Sequence, residues 1–78
     1  MTRTILSGSW CGPCQMLKQR LKDQNIDIQI LDIDDTEGRE LVTKYKVRSI
    51  PTLLEVEEDK HFLYVGPDEI LERLTKNV

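Results

Sequence analysis

Cys11 and Cys14 are the chain's two cysteines, and they stand two residues apart in Trp10-Cys11-Gly12-Pro13-Cys14. A thiolate is a nucleophile and a metal ligand, and two thiols this close can also join each other. The motif follows a short β-prone piece, Arg3 to Leu6, and a Ser7-Gly8-Ser9 turn, and it opens a helical pattern. Unpaired N–H groups and the macrodipole at a helix start favour an anion. The Cys11 thiol is therefore expected to ionise below the free value of about 8.5. Cys14, one turn on and closer to the core, should keep its proton longer. The spacing thus predicts an exposed attacker and a shielded resolver. Cys11 thiolate would open a substrate disulfide, and Cys14 would then displace the substrate from Cys11, leaving the pair oxidised. Gly12 and Pro13 shape the turn between them, and Pro13 suits a first helical turn that needs no amide hydrogen.

Other uses of the pair fit less well. A structural bridge between Cys11 and Cys14 closes a tiny loop, so it constrains the unfolded chain little. A zinc site needs four ligands, and beyond the cysteines only His61 could bind. Two inert buried thiols remain a third reading.

Hydrophobic periodicity supplies the elements that must position the motif. After Arg3–Leu6, a helix runs from about Gly12 to Gln24 with Met16, Leu17 and Leu21 at helical spacing. Ile26, Ile28 and Ile30 alternate with polar residues, and Leu31 and Ile33 continue them as a second strand. Asp34-Asp35-Thr36-Glu37 offers a cap and early negative charge to a helix carrying Leu41, Val42 and Tyr45. Thr52–Val56 is a third strand, Glu57-Glu58-Asp59-Lys60 a turn, and His61–Val65 a strand pairing back as a hairpin. Gly66 ends it, and Pro67, Asp68 and Glu69 open a last helix whose inward side is Ile70, Leu71 and Leu74. The order β-α-β-α-β-β-α predicts an α/β fold, one domain over residues 1–78, with a four-stranded mixed sheet flanked by helices.

The remaining composition narrows the class. The 78 residues are 38% hydrophobic and 32% charged, the balance of a soluble globular domain. A net charge of −3 argues against nucleic acid as a partner. The basic run Lys18-Gln19-Arg20-Leu21-Lys22 reads as the wet face of a helix. No apolar run approaches the roughly 20 residues a membrane span needs. Met1 to Ser7 is too short for a signal peptide ahead of the motif, so the expected address is the cytoplasm.

The pentapeptide Trp10-Cys11-Gly12-Pro13-Cys14 is identical to the active-site sequence of the thioredoxin family. Tyr45-Lys46-Val47-Arg48-Ser49-Ile50-Pro51-Thr52-Leu53 resembles that family's cis-proline segment, and Val65-Gly66 its glycine at the end of the last strand. The resemblance implies a cis Ile50–Pro51 bond facing the cysteines. It also implies a substrate groove formed by Trp10, Gly12, Pro13, Ile50, Pro51 and Gly66. Without it, Pro51 would be a trans proline at the start of a strand, and Trp10 an ordinary core aromatic. His61 reads as a solvated strand residue and Met16 as helix packing. The chain departs from ordinary thioredoxins by lacking their first strand and helix, an outline shared with glutaredoxins and the smallest thioredoxins. The family's buried aspartate is replaced by Ile5, and its lysine partner by Ile30. Cys14 must then lose its proton to water, to Cys11, or to a group the sequence does not identify.

The resemblance implies a protein-disulfide reductase, re-reduced by thioredoxin reductase and acting as a monomer on protein disulfides. No cofactor beyond the reversible Cys11–Cys14 bond and no metal are expected. A second reading is a glutathione-dependent, glutaredoxin-like reductase or a hydrogen donor to ribonucleotide reductase. Gly66-Pro67-Asp68 stands where glutaredoxins usually carry the Gly-Gly pair and nearby acid that hold glutathione, which weakens that site. A third, of another class, is a binding module with an incidental redox centre.

Overall fold

The computed structural model describes residues 1–76. Its elements are β1 (Thr2–Ser7), α1 (Gly12–Asp23), β2 (Gln29–Asp32), α2 (Thr36–Tyr45), β3 (Thr52–Val56), β4 (His61–Val65) and α3 (Pro67–Thr75). The sheet order is β2-β1-β3-β4. β1 and β2 run parallel through the α1 crossover, whereas β1–β3 and the β3–β4 hairpin are antiparallel. The expected α/β fold with a four-stranded mixed sheet and three helices is therefore observed.

Alternation along the strands sorts the core into two layers. Ile5 of β1 and Leu53 of β3 pack with Leu17 and Leu21 of α1 and Ile70 of α3. Leu71, Leu74, Ile26, Ile28 and Tyr64 close the edges of this cluster. Thr4, Leu6, Thr52 and Leu54 point to the opposite face and are buried as well, so both faces of the sheet are covered. Fully burying one such leucine or isoleucine contributes about 1.5–3 kcal/mol. These apolar layers are what fix β1 under α1, and hence Ser7 under the start of that helix.

Several local expectations change. Met16 does not pack inward; it is 49% exposed. The buried face of α1 is Cys14, Leu17 and Leu21, a spacing of i, i+3 and i+7 that leaves Met16 to one side. β2 is shorter than its isoleucines suggested. Asn25 takes a left-handed φ of 56°, and the Ile26 N–H donates to the Leu21 carbonyl at 2.9 Å. Ile26 and Ile28 therefore plug the core from the loop, and the strand begins only where pairing with β1 begins. Asp35 does occupy the cap position of α2, but its carboxylate makes no capping hydrogen bond. Instead Asp32 Oδ1 accepts the Asp34 N–H at 2.8 Å, and Arg39 donates to the Asp34 carbonyl at 2.6 Å.

Candidate active site

Gly8 turns the chain at the end of β1, and the Cys11 N–H donates back to its carbonyl at 3.2 Å. This tight turn delivers Cys11 in extended conformation as the N-cap of α1, with φ −96° and ψ 112°. Its Sγ accepts the Cys14 N–H at 3.2 Å, as a capping oxygen would at an ordinary helix start. The first turn of α1 contains no acid, so nothing there opposes a negative sulfur. Gly12 and Pro13 are the first two helical residues, and a Cβ added to Gly12 would meet open space. Cys11 and Cys14 are joined as a disulfide with Cα atoms 5.2 Å apart. Cys11 is 6% exposed and Cys14 1%. Both sulfur-bearing residues are buried, so Cys11 is not the exposed residue that the motif alone suggested. The pre-proline loop accounts for part of that shelter, since Cys11 Sγ lies 3.9 Å from the Ile50 carbonyl oxygen. A disulfide sulfur has no proton to donate there; the free thiol does.

The Ile50–Pro51 peptide is cis, and Pro51 is fully buried. A Cβ placed on Gly8 would stand 2.9 Å from Ile50 Cδ1 and 3.1 Å from Trp10 Cε2. Trp10 and Ile50 thus both border the space over Gly8, where an added side chain would make the end of Ile50 shift. The indole of Trp10 is otherwise 68% exposed beside the disulfide. Gly66 joins from the far side, its N–H donating to the Pro51 carbonyl at 3.0 Å. Its φ of 92° with ψ 152° lies in a region essentially reserved for glycine. Trp10, Cys11, Ile50, Pro51 and Gly66 are therefore brought to one end of the sheet, with Gly12 and Pro13 in the turn beside them.

His61 is not part of this end. It pairs with Val56, which pairs with Thr2, so it sits at the start of β1, about 16 Å along the strand from Ser7. There it packs on Tyr45 with ring centroids 4.8 Å apart. It cannot complete a zinc site with the cysteines, and among the described residues no group of three metal-ligating side chains forms. Ile5, in the place of the family's buried acid, is a core residue. Ile30 pairs with it across β1–β2 and is half-exposed.

Two buried polar residues escaped the sequence reading. Ser7, assigned there to a turn, is the last residue of β1; continuing the alternation of Arg3 and Ile5 by one step would have placed it on the inner face. Glu55 is 1% exposed in an apolar strand. Arg73 of α3 grips it through Nε and a terminal nitrogen, each at 3.0 Å. Arg3 Nε approaches it at 2.9 Å, too obliquely for a hydrogen bond. The hydrogen bonds and charge of Glu55 hold the Arg73 guanidinium above its ordinary pKa. An isolated glutamate within Leu53-Leu54-Glu55-Val56 was the available signal.

The thioredoxin family model matches residues 6–78. Thioredoxin from Bacillus subtilis is 47% identical over 49 residues, covering 58% of this chain and 47% of that protein. Thioredoxin-1 from Drosophila melanogaster is 32% identical over 66 residues, covering 78% of this chain and 62% of that one. The chain thus spans about half to two thirds of the length of these curated relatives. Among solved structures, the glutaredoxin-like protein NrdH-redoxin from Escherichia coli superposes with a TM-score of 0.67 at 22% identity, covering 100% of both chains.

Proposed function

The chain belongs to the thioredoxin family, and from that premise we propose that it is a thiol–disulfide oxidoreductase that reduces protein disulfides through Cys11 and Cys14. One observation carries the reading: Cys11 is the cap of α1, its sulfur accepting the Cys14 N–H at 3.2 Å. The partial charge at a helix start stabilises an anion by about 0.3–2 kcal/mol. That favours Cys11 as thiolate when it attacks, and as leaving group when Cys14 displaces it. In each turnover Cys11 bonds to one substrate sulfur and the other departs as a thiol. Cys14 then bonds to Cys11, and the second substrate thiol leaves. Two electrons pass to the substrate and the Cys11–Cys14 bond is restored. The exposed Trp10 face beside the buried sulfurs offers an apolar platform to the polypeptide on either side of a substrate disulfide.

Thioredoxin reductase is the proposed electron donor, with the protein acting as a monomer in the cytoplasm. Pro67 supports this choice over glutathione. It opens α3 directly after Gly66 and has no N–H to offer a glutathione carboxylate. The test starts from the oxidised protein and follows its reduction by Trp10 fluorescence. NADPH with thioredoxin reductase should reduce it rapidly, and glutathione with its own reductase slowly. The opposite order would establish a glutaredoxin-like donor, and no reduction by dithiols or glutathione would leave a binding module.

A further inference from the structure

β4 ends the sheet, and among the described residues no strand lies on its outer side. The hairpin register tells which of its backbone groups are already engaged. The Glu57 N–H donates to the Lys60 carbonyl, and the Gly66 N–H donates to the Pro51 carbonyl. Between these two bonded pairs, hydrogen-bonded and open pairs alternate along an unbroken antiparallel ladder. Phe62 and Tyr64 therefore turn their backbone groups to β3, and His61, Leu63 and Val65 turn theirs outward. Natural edge strands are usually blunted by proline, an inward charge, a bulge or a covering element. His61-Phe62-Leu63-Tyr64-Val65 contains no proline, lysine or carboxylate, and Phe62 and Val65 are 40% and 47% exposed. Such an edge is a template for another strand.

The flank above the edge indicates which strand. α3 runs back along β4, since its Arg73 reaches Glu55, the register partner of Phe62. Glu69, Glu72, Arg73 and Lys76 line one cleft with Tyr64, so this stripe of α3 faces the β4 side. It is acidic toward the start of the helix and basic toward its end. Turned end for end, it is complementary to itself. From Gly66, Leu63 lies three residues back along β4, about 10 Å. The middle of the Glu69–Lys76 stripe lies six to seven residues onward along α3, also about 10 Å. One two-fold axis at Leu63 therefore serves both elements. It pairs Leu63 with Leu63 of a second copy and His61 with Val65, so the outward residues exchange both backbone bonds. It sets Phe62 against Tyr64 in the closer, open pairs, where aromatic side chains add to the ladder. Above them it sets Glu69 toward Lys76, with Glu72 toward Arg73.

We propose that β4 is a self-association edge: two copies of this chain join by antiparallel β4–β4 pairing about Leu63, with Glu69 of each α3 facing Lys76 of the other. The inference does not rest on the exchange reading and goes beyond it. The same register sets Lys60 of the second copy opposite Gly66, at the rim beside Pro51. Pairing and a polypeptide substrate then compete for that rim, so the monomer is the acting form and the dimer a resting one. A strand of five residues buries little surface, which makes the association weak and dependent on concentration. The exposed charge pairs fix its direction more than its strength, and salt screens them.

Sedimentation velocity on the full chain in dithiothreitol tests the pairing, because the reductant excludes intermolecular disulfides. Between about 10 μM and about 1 mM, the average mass should rise from the 9.1 kDa of one chain toward twice that value. Glu69→Lys sets lysine against Lys76 at two symmetric places and should weaken association about tenfold at low salt. Lys76→Glu should do the same, and the two substitutions together should restore it. Both positions are exposed, so the fold tolerates the exchange. Trp10→Ala should leave the association unchanged. Amide hydrogen exchange on the parent protein reads the strand directly. The His61, Leu63 and Val65 amides should exchange fast when dilute and become protected when concentrated, while Phe62 and Tyr64 are protected throughout. The mass of one chain over the whole range would overturn the proposal. So would a dimer that ignores both charge reversals, a double variant no better than the single ones, or outward β4 amides that stay fast in the dimer. Association lost in Trp10→Ala would also overturn it, by placing the interface on the active-site face.

Discussion

Cys11 caps a helix and ends a disulfide, so one sulfur carries both the local structure and the chemistry. Substituting it changes more than a nucleophile, because the Cys14 N–H then needs another acceptor. Serine keeps that cap, which makes Cys11→Ser the cleaner removal of reactivity. Gly66 is constrained differently. Its backbone conformation is glycine's own, yet a Cβ there would touch nothing within 4 Å. Gly66→Ala is therefore expected to cost about 1–3 kcal/mol through backbone strain alone. A lower urea midpoint with an unchanged denaturant slope would show it. An unchanged midpoint would mean that the segment relaxes into another conformation. The cysteine pair was legible as a local motif, whereas the cis bond at Pro51 and the grouping of Trp10, Pro51 and Gly66 were read only from the family resemblance. The burial of Ser7 was not legible, since it depends on which face of β1 the residue occupies.

Between elements, the chain uses one apolar seam and one ionic clamp. Ile70 locks α3 against Ile5 and Leu53 at the centre of the sheet, while Arg73 ties its last turns to Glu55. Arg73 also lies over the Tyr64 ring at 5.5 Å. Removing a buried partner can cost 3–5 kcal/mol when the other charge is stranded. Here both arginines are more than a third exposed and can turn to water, so Glu55→Ala should cost only about 1–3 kcal/mol. Protection of α3 amides from hydrogen exchange should fall with it, and a loss confined to β1 would instead credit Arg3. Nothing in the sequence paired Glu55 with Arg73, since 18 residues separate them and only the fold brings α3 over β3. Gly38 illustrates the same limit. Its Cβ would stand 2.8 Å from the Asp32 carbonyl carbon, so α2 approaches the end of β2 where a larger residue could not follow. Met16 misled for the opposite reason: helical spacing identifies an amphipathic face only to within neighbouring positions, and Cys14 took the inward place.

For the molecule as a whole, the order of elements and the mixed sheet were readable because each strand–helix alternation carries its own periodicity and punctuation. The lengths of β2 and the capping of α2 were not, since pairing and turn geometry set them. Ile5 replaces a buried acid, and in the fold it simply joins the core. Ser7 at the end of β1 and Cys14 in the first turn of α1 are both buried. A surface with a net charge of −3 should favour substrates that are not strongly acidic. Dithiol exchange through Cys11 is the claim on which these consequences depend. Its most direct measurement is the mass of Cys14→Ser after incubation with a disulfide-containing protein substrate and acid quench. Attack by Cys11 predicts a long-lived one-to-one mixed disulfide at Cys11, reversed by dithiothreitol and missing from Cys11→Ser. No adduct on Cys14→Ser, or an equal yield on Cys11→Ser, would contradict it.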